Sequence, residues 1–124
     1  MPMPVKQKIL KTMGIILIVA IGAIHVLDAK DSFQDAVYKG WLFYANGLGA
    51  LLTAYLIFKV NNKNGWNLGL LIAASSILGY ISSRTIGLPL IPAEPDAWFE
   101  PLGVAAMIAE MLFITVYLFH NFAE

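Results

Sequence analysis

The sequence predicts an all-α fold, a four-transmembrane-helix bundle with N-in and C-in termini and a short interfacial helix or structured loop on the outer side. Three observations predict it. Hydrophobic residues make up 59% of the 124 and charged residues only 13%, about half the 25% usual in soluble domains. The charges collect in gaps, leaving four long runs nearly free of them, at about residues 9–27, 40–60, 65–86 and 101–119. Each run approaches the roughly 20 residues that a helix needs to cross about 30 Å of hydrocarbon. Barrel strands would instead alternate over about 10 residues.

The first span, 9–27, is preceded by Lys6 and Lys8 and contains Lys11, which can snorkel to the surface. Ala20-Ile21-Gly22 would serve as a signal-peptide cleavage site, but the apolar run continues past it, so the segment is read as a retained span. Gly14, Ile18 and Gly22 share one face with His25 next to it. Residues 28–39 are expected to form the interfacial helix, with Phe33 and Val37 toward the membrane and the acids toward water.

The second span, 40–60, carries Asn46, Gly49, Ala50, Thr53 and Ala54. Asn61-Asn62-Lys63-Asn64-Gly65 reads as a tight polar turn, so the second and third spans form a helical hairpin. The third span, 65–86, places Gly69, Ala73, Ser76, Tyr80 and Ser83 at helical steps. A proline-rich outer loop with Trp98-Phe99 follows. Pro101 opens the fourth span, where its missing N–H costs nothing. That span carries Gly103, Ala106, Glu110 and Tyr117. Small residues in such stripes let helix backbones approach in lipid, so these faces are read as packing faces. All six prolines lie outside the span interiors, and one domain, 1–124, is expected.

Orientation follows from the basic residues at the span ends. Lys6, Lys8, Lys11, Lys59 and Lys63 fall on one side, with Lys30, Lys39 and Arg84 on the other. The richer side is inner. Asp28, Asp31, Asp35, Glu94, Asp96 and Glu100 then all lie outside. Trp41, Trp66 and Trp98 are expected as interfacial anchors.

Net charge is zero, which leaves no electrostatic case for a nucleic-acid partner. Without cysteine there is neither a disulfide framework nor a thiolate metal site. No nucleophile triad, phosphate-binding glycine loop or metal-ligand pair is present, so no catalytic or metal residues are assigned.

Five polar residues stand out, because ionisable groups inside a bilayer face the bundle interior or water. Glu110 lies about 12 Å into the fourth span at 1.5 Å per residue. A carboxyl there is protonated, paired or wetted. Arg84, near the outer end of the third span, is expected to pair with Glu100, which begins the fourth, with a reach inward toward Glu110 or reception of an anionic headgroup or substrate as the alternatives. Together with His25 and Asn46, these residues populate the outer half of the bundle. They outline an outward-opening polar pocket with Glu110 as its floor. His25 and His120 fall at opposite membrane faces and cannot ligate one haem iron within a chain. A single-histidine haem, a copper site or a bound quinone stays open as a redox reading.

Gly79-Tyr80-Ile81-Ser82-Ser83-Arg84-Thr85-Ile86-Gly87-Leu88-Pro89, followed by Glu100-Pro101-Leu102-Gly103, resembles the pattern of a family of small four-span prokaryotic membrane proteins. In that family the third-span motif runs Gly-Tyr-x-x-Ser-Arg-Thr-x-Gly-Leu-Pro, with Glu-Pro-x-Gly and a later Glu in the last span. Ile24-His25 and Asn46 are similar too, and the likeness covers residues 9–119. The family commonly has Gly where this chain has Leu90. The resemblance implies the topology, a prokaryotic cytoplasmic membrane and a set of residues, and names no reaction.

The expected function is therefore a non-enzymatic accessory or assembly subunit of a membrane complex. Its partners would be the lipid bilayer and a protein subunit or a second copy, with Trp98 and Phe99 as the contact. The alternatives are a small-ligand or ion- and proton-handling protein using the outer pocket, and the redox subunit. The cofactor is left unknown.

Overall fold

A computed structural model describes residues 3–122. Four long helices, α1 (Val5–Leu27), α3 (Val37–Lys59), α4 (Lys63–Thr85) and α5 (Pro101–Asn121), are joined by a seven-residue helix, α2 (Ala29–Asp35), and an outer loop. All four long helices are long and apolar enough to span a bilayer. Of the described residues 81% are helical, and the chain is a small multi-pass integral membrane protein.

The helices pack in the cyclic order α1, α3, α4, α5, each against its two neighbours. Close approach is made at glycines, as expected where lipid supplies no hydrophobic drive between helices. A Cβ on Gly22 would sit 2.6 Å from that of Ala50, and one on Gly69 would sit 2.4 Å from the Phe113 ring. The outward faces, including Ile16, Leu48, Leu51, Leu78 and Met111, are exposed and apolar, as a lipid-facing surface must be.

Packing is dense in the inner half. Ile18, Ile57, Trp66, Ala73 and Phe113 are fully buried there. Trp66 stacks on Phe113 with centroids 5.8 Å apart and on His120 at 4.3 Å. Trp66 was expected at the membrane interface; instead it is wholly inside the bundle, and its indole N–H donates to Asn61 Oδ1 at 3.0 Å. That bond supplies the partner a buried indole requires, and Gly14 leaves room for the ring.

The hairpin turn beneath is built by its asparagines. Asn61 takes the left-handed conformation (φ 50°) that asparagine tolerates. Asn62 caps α4 by accepting from the Gly65 N–H at 3.1 Å.

On the outer side, α2 lies against α3, with Phe33 over Gly40 and beside Trp41 and Tyr44. The loop after α4 is ordered by backbone bonds. Leu88 and Ile91 exchange both N–H···O bonds around Pro89-Leu90, and the Glu94 N–H donates to Ser83 O at 2.9 Å. Leu90 occupies the third position of this turn with φ 65°, where a type II turn calls for glycine.

Candidate ligand cavity in the outer half

The outer half of the bundle is not filled. A cavity of about 830 Å³ runs from the outer loop down to Glu110, within the 300–1,000 Å³ span of ligand sites. Small residues leave it: Ser76, Gly79 and Ser83 on α4, Gly103 and Ala106 on α5. A Cβ on Gly79 would meet nothing within 4 Å. His25, Asn46, Arg84, Glu100 and Glu110 all line this one space.

His25, on α1, is 8% exposed. Its Nδ1 lies 2.8 Å from Ile21 O. A carbonyl only accepts, so Nδ1 carries the proton and a neutral ring keeps its lone pair on Nε2. That atom is 3.7 Å from Glu110 Oε2, too long for a hydrogen bond. Glu110, on α5, is 1% exposed, and its Oε2 has no hydrogen-bond partner.

Asn46, on α3, donates through Nδ2 to Ser76 Oγ at 3.0 Å, and Ser76 donates onward to Ile72 O at 2.7 Å. The hydroxyl has one proton and spends it on Ile72, so it can only accept from Asn46. The amide orientation is thereby set, and Asn46 Oδ1 is left buried without a donor. The floor thus presents acceptors from three helices: a carboxyl oxygen, an amide oxygen and an imidazole nitrogen.

Above the floor the lining is acidic. Asp28, Asp31, Asp35, Glu94 and Glu100 surround the mouth, against Lys39 and Arg84. Lys39 is tied to Asp35 at 2.6 Å. Burial, then the nearby Glu100 carboxylate, holds the Asp28 carboxyl above its ordinary range. Asp28, Asp31 and Asp35 share one helical face at the mouth, and Asp31 and Asp35 are exposed to water as their sequence pattern implies.

Arg84 departs from expectation. Among the described residues no carboxylate pairs with it. Its Nε and Nη2 both donate to Ala97 O, at 3.1 and 3.0 Å, and Nη1 donates to Ser83 Oγ at 2.7 Å. The guanidinium lies over Tyr80, its Cζ 3.8 Å from the ring centroid. The expected Arg84–Glu100 ion pair is absent because the loop carbonyl and the ring already hold the fork.

Trp98 is held inward. Its ring meets Tyr80 edge-on, and its carbonyl accepts from the Tyr80 hydroxyl. Phe99 next to it is 89% exposed. His120 stacks on Trp66 at the inner end, remote from His25. Among the described residues, no three histidine or carboxylate side chains converge with metal-ligand geometry.

Fold and cavity together define a class, the small four-span membrane protein with a chamber of mixed polar and apolar lining in one half of its bundle. No family model, curated protein sequence or solved structure matches the chain.

Proposed function

We propose that the protein binds a small cationic ligand in the outer cavity, with Glu110 as the anchoring acid. The observation that carries this is the floor. Glu110 Oε2 and Asn46 Oδ1 are buried without donors, and the free nitrogen of His25 faces Glu110. Unpaired buried acceptors cost about 1–3 kcal/mol each, and a ligand rich in N–H groups relieves that cost. The acidic mouth favours entry of a cation over an anion. In this reading the protein sits in a prokaryotic cytoplasmic membrane, in keeping with the family its third-span motif resembles.

The test is calorimetric titration of the protein, reconstituted in lipid nanodiscs, with ethylammonium and with acetate. Ethylammonium is expected to bind, and Glu110→Gln to weaken that binding at least tenfold while the helical content is unchanged. Equal binding by wild type and Glu110→Gln, or a preference for acetate, contradicts the proposal.

The accessory-subunit reading draws on a different observation. Ile86, Leu90 and Phe99 project from the outer loop at 86%, 90% and 89% exposure. Trp98 is occupied by Tyr80, so Phe99 carries the contact in this reading. Phe99→Ser then releases a partner that co-purifies from the native membrane; unchanged co-purification rejects it.

A further inference from the structure

We infer that the ligand is an amphiphilic primary amine that enters sideways from the bilayer, between α3 and α4. This rests on the cation-binding reading above and deepens it.

The cavity has two openings of opposite character. Toward water it is rimmed by exposed acids, among them Asp31, Glu94 and Glu100. Between α3 and α4 it is bordered by Leu42 and Leu71, which are 60% and 64% exposed, and by exposed Ala45 and Ser75. Ser75 donates to Leu71 O of its own helix and so presents no free hydroxyl proton there.

These residues face lipid, among exposed apolar side chains such as Leu48, Leu52, Leu78 and Ile81. The two helices meet at Gly49 against Ile72 and at the Asn46–Ser76 bond, and Gly79 leaves the space beyond them open. At two other seams the helices touch directly, although an apolar groove runs along the outside of the α1–α3 seam. Gly22 and Gly47 close α1 on α3, and Gly103 rests on Tyr80 and Arg84 between α4 and α5. The outer cavity itself is bordered by lipid-facing residues at the α3–α4 seam.

Size argues for a tail. A bare ammonium is comparable to a water, whose share of liquid volume is about 30 Å³. It would leave nearly all of the 830 Å³ to water, against the apolar side chains Phe43, Ile72 and Leu102 that share the lining. An alkyl chain leaving past Leu42 and Leu71 reaches hydrocarbon directly.

Chemistry argues for a primary amine as the head. The floor offers three acceptors, and the donors beside them are engaged except for the second N–H of the Asn46 amide. Asn46 Nδ2 goes to Ser76, Ser76 Oγ to Ile72 and His25 Nδ1 to Ile21. A primary ammonium brings three N–H donors and a positive charge; a quaternary ammonium brings only the charge.

The experiment is native mass spectrometry of the protein in phosphatidylcholine nanodiscs, titrated with dodecylamine, ethylamine, dodecyltrimethylammonium and dodecanoate. Wild type is set beside Glu110→Gln, which removes the acid, and Ser75→Trp, which narrows the lateral opening at an exposed position away from the floor. A one-to-one dodecylamine complex is expected, at least tenfold tighter than that of ethylamine or of the quaternary amine. Glu110→Gln should weaken it tenfold or more. Ser75→Trp should weaken dodecylamine and leave ethylamine unchanged.

Equal affinity for the long and short amines, or indifference of dodecylamine to Ser75→Trp, overturns lateral entry and leaves the cation site standing. Equal affinity for the quaternary amine overturns the hydrogen-bonded head. Tighter dodecanoate, or no amine complex at all, brings down the cation reading with it.

Discussion

His25 and Glu110 face one another across the outer half of the bundle, Nε2 to Oε2, at 3.7 Å. They come from α1 and α5, and neither is fully satisfied by the other. His25 is oriented from behind by Ile21 O and from the side by Phe43, whose ring centroid is 4.9 Å away. The pair is thus held in register and left short of contact. Together with Asn46 it forms a receptor surface at the bottom of a chamber, while the inner half of the same four helices is a solid core.

That division makes Trp66 the residue on which the inner half depends. It touches α1 at Gly14, α5 at Phe113 and His120, and the hairpin turn at Asn61. Trp66→Ala should cost about 3–5 kcal/mol, read as a lowered thermal midpoint in detergent. A loss below about 1 kcal/mol would show that the core is not organised around this ring.

Leu90 predicts a gain. A non-glycine residue in the left-handed region costs roughly 1–2 kcal/mol, partly offset by the larger unfolded-state entropy of glycine. Leu90→Gly should therefore stabilise the protein by about 0.5–1 kcal/mol, seen as a raised thermal midpoint. Destabilisation would mean that the exposed leucine makes a favourable contact the turn geometry does not reveal.

Arg84→Lys tests the loop anchor. An ammonium cannot reproduce the forked bond to Ala97 O that holds the guanidinium over Tyr80. A loss of about 1–2 kcal/mol should speed amide exchange over residues 94–99 by roughly 5- to 30-fold. Unchanged exchange would assign the loop's order to its own backbone bonds alone.

Asp28 gives a pH dependence whose sign is set by its surroundings. Burial and Glu100, then Asp31 and Asp35, raise its pKa above the ordinary 3.8, with Lys39 opposing. A carboxyl raised in the folded state contributes stability below the unfolded value. That stability is lost as pH rises through the folded one. Asp28→Asn cannot ionise and escapes the loss. Its stability relative to wild type should rise as pH climbs from below 3.8 through the carboxylate range, in parallel melting curves. A difference constant with pH contradicts the assignment.

Depth along each span was legible in the sequence; azimuth and pairing were legible only in part. Charge gaps placed the four helices, and small-residue steps marked the buried faces of Gly14, Gly22, Ala50, Thr53, Gly69 and Ala73. Depth alone put His25, Asn46, Arg84, Glu100 and Glu110 in the same half of the bundle, which is why they share a cavity. Trp66 was misplaced because its position near a span end says nothing of which way the ring points; Gly14 and Asn61, distant in sequence, decide that. The Arg84–Glu100 pair failed for a similar reason. Ala97 O is a backbone acceptor brought close only by the course of the loop, and no residue type announces it. The Asn46–Ser76 bond joins two residues seen as packing and pocket separately.

The central claim, a chamber reached by water from the outer face with Glu110 at its floor, is tested most directly by cysteine accessibility. The chain has no cysteine, so single introductions report without background. Gly79→Cys points into open space in the cavity, and Ala73→Cys lies in the buried core. In right-side-out vesicles a membrane-impermeant thiosulfonate is predicted to modify Gly79→Cys rapidly and Ala73→Cys not at all, with dodecylamine protecting the former. An unreactive Gly79→Cys, or equal reaction at both positions, would contradict the account.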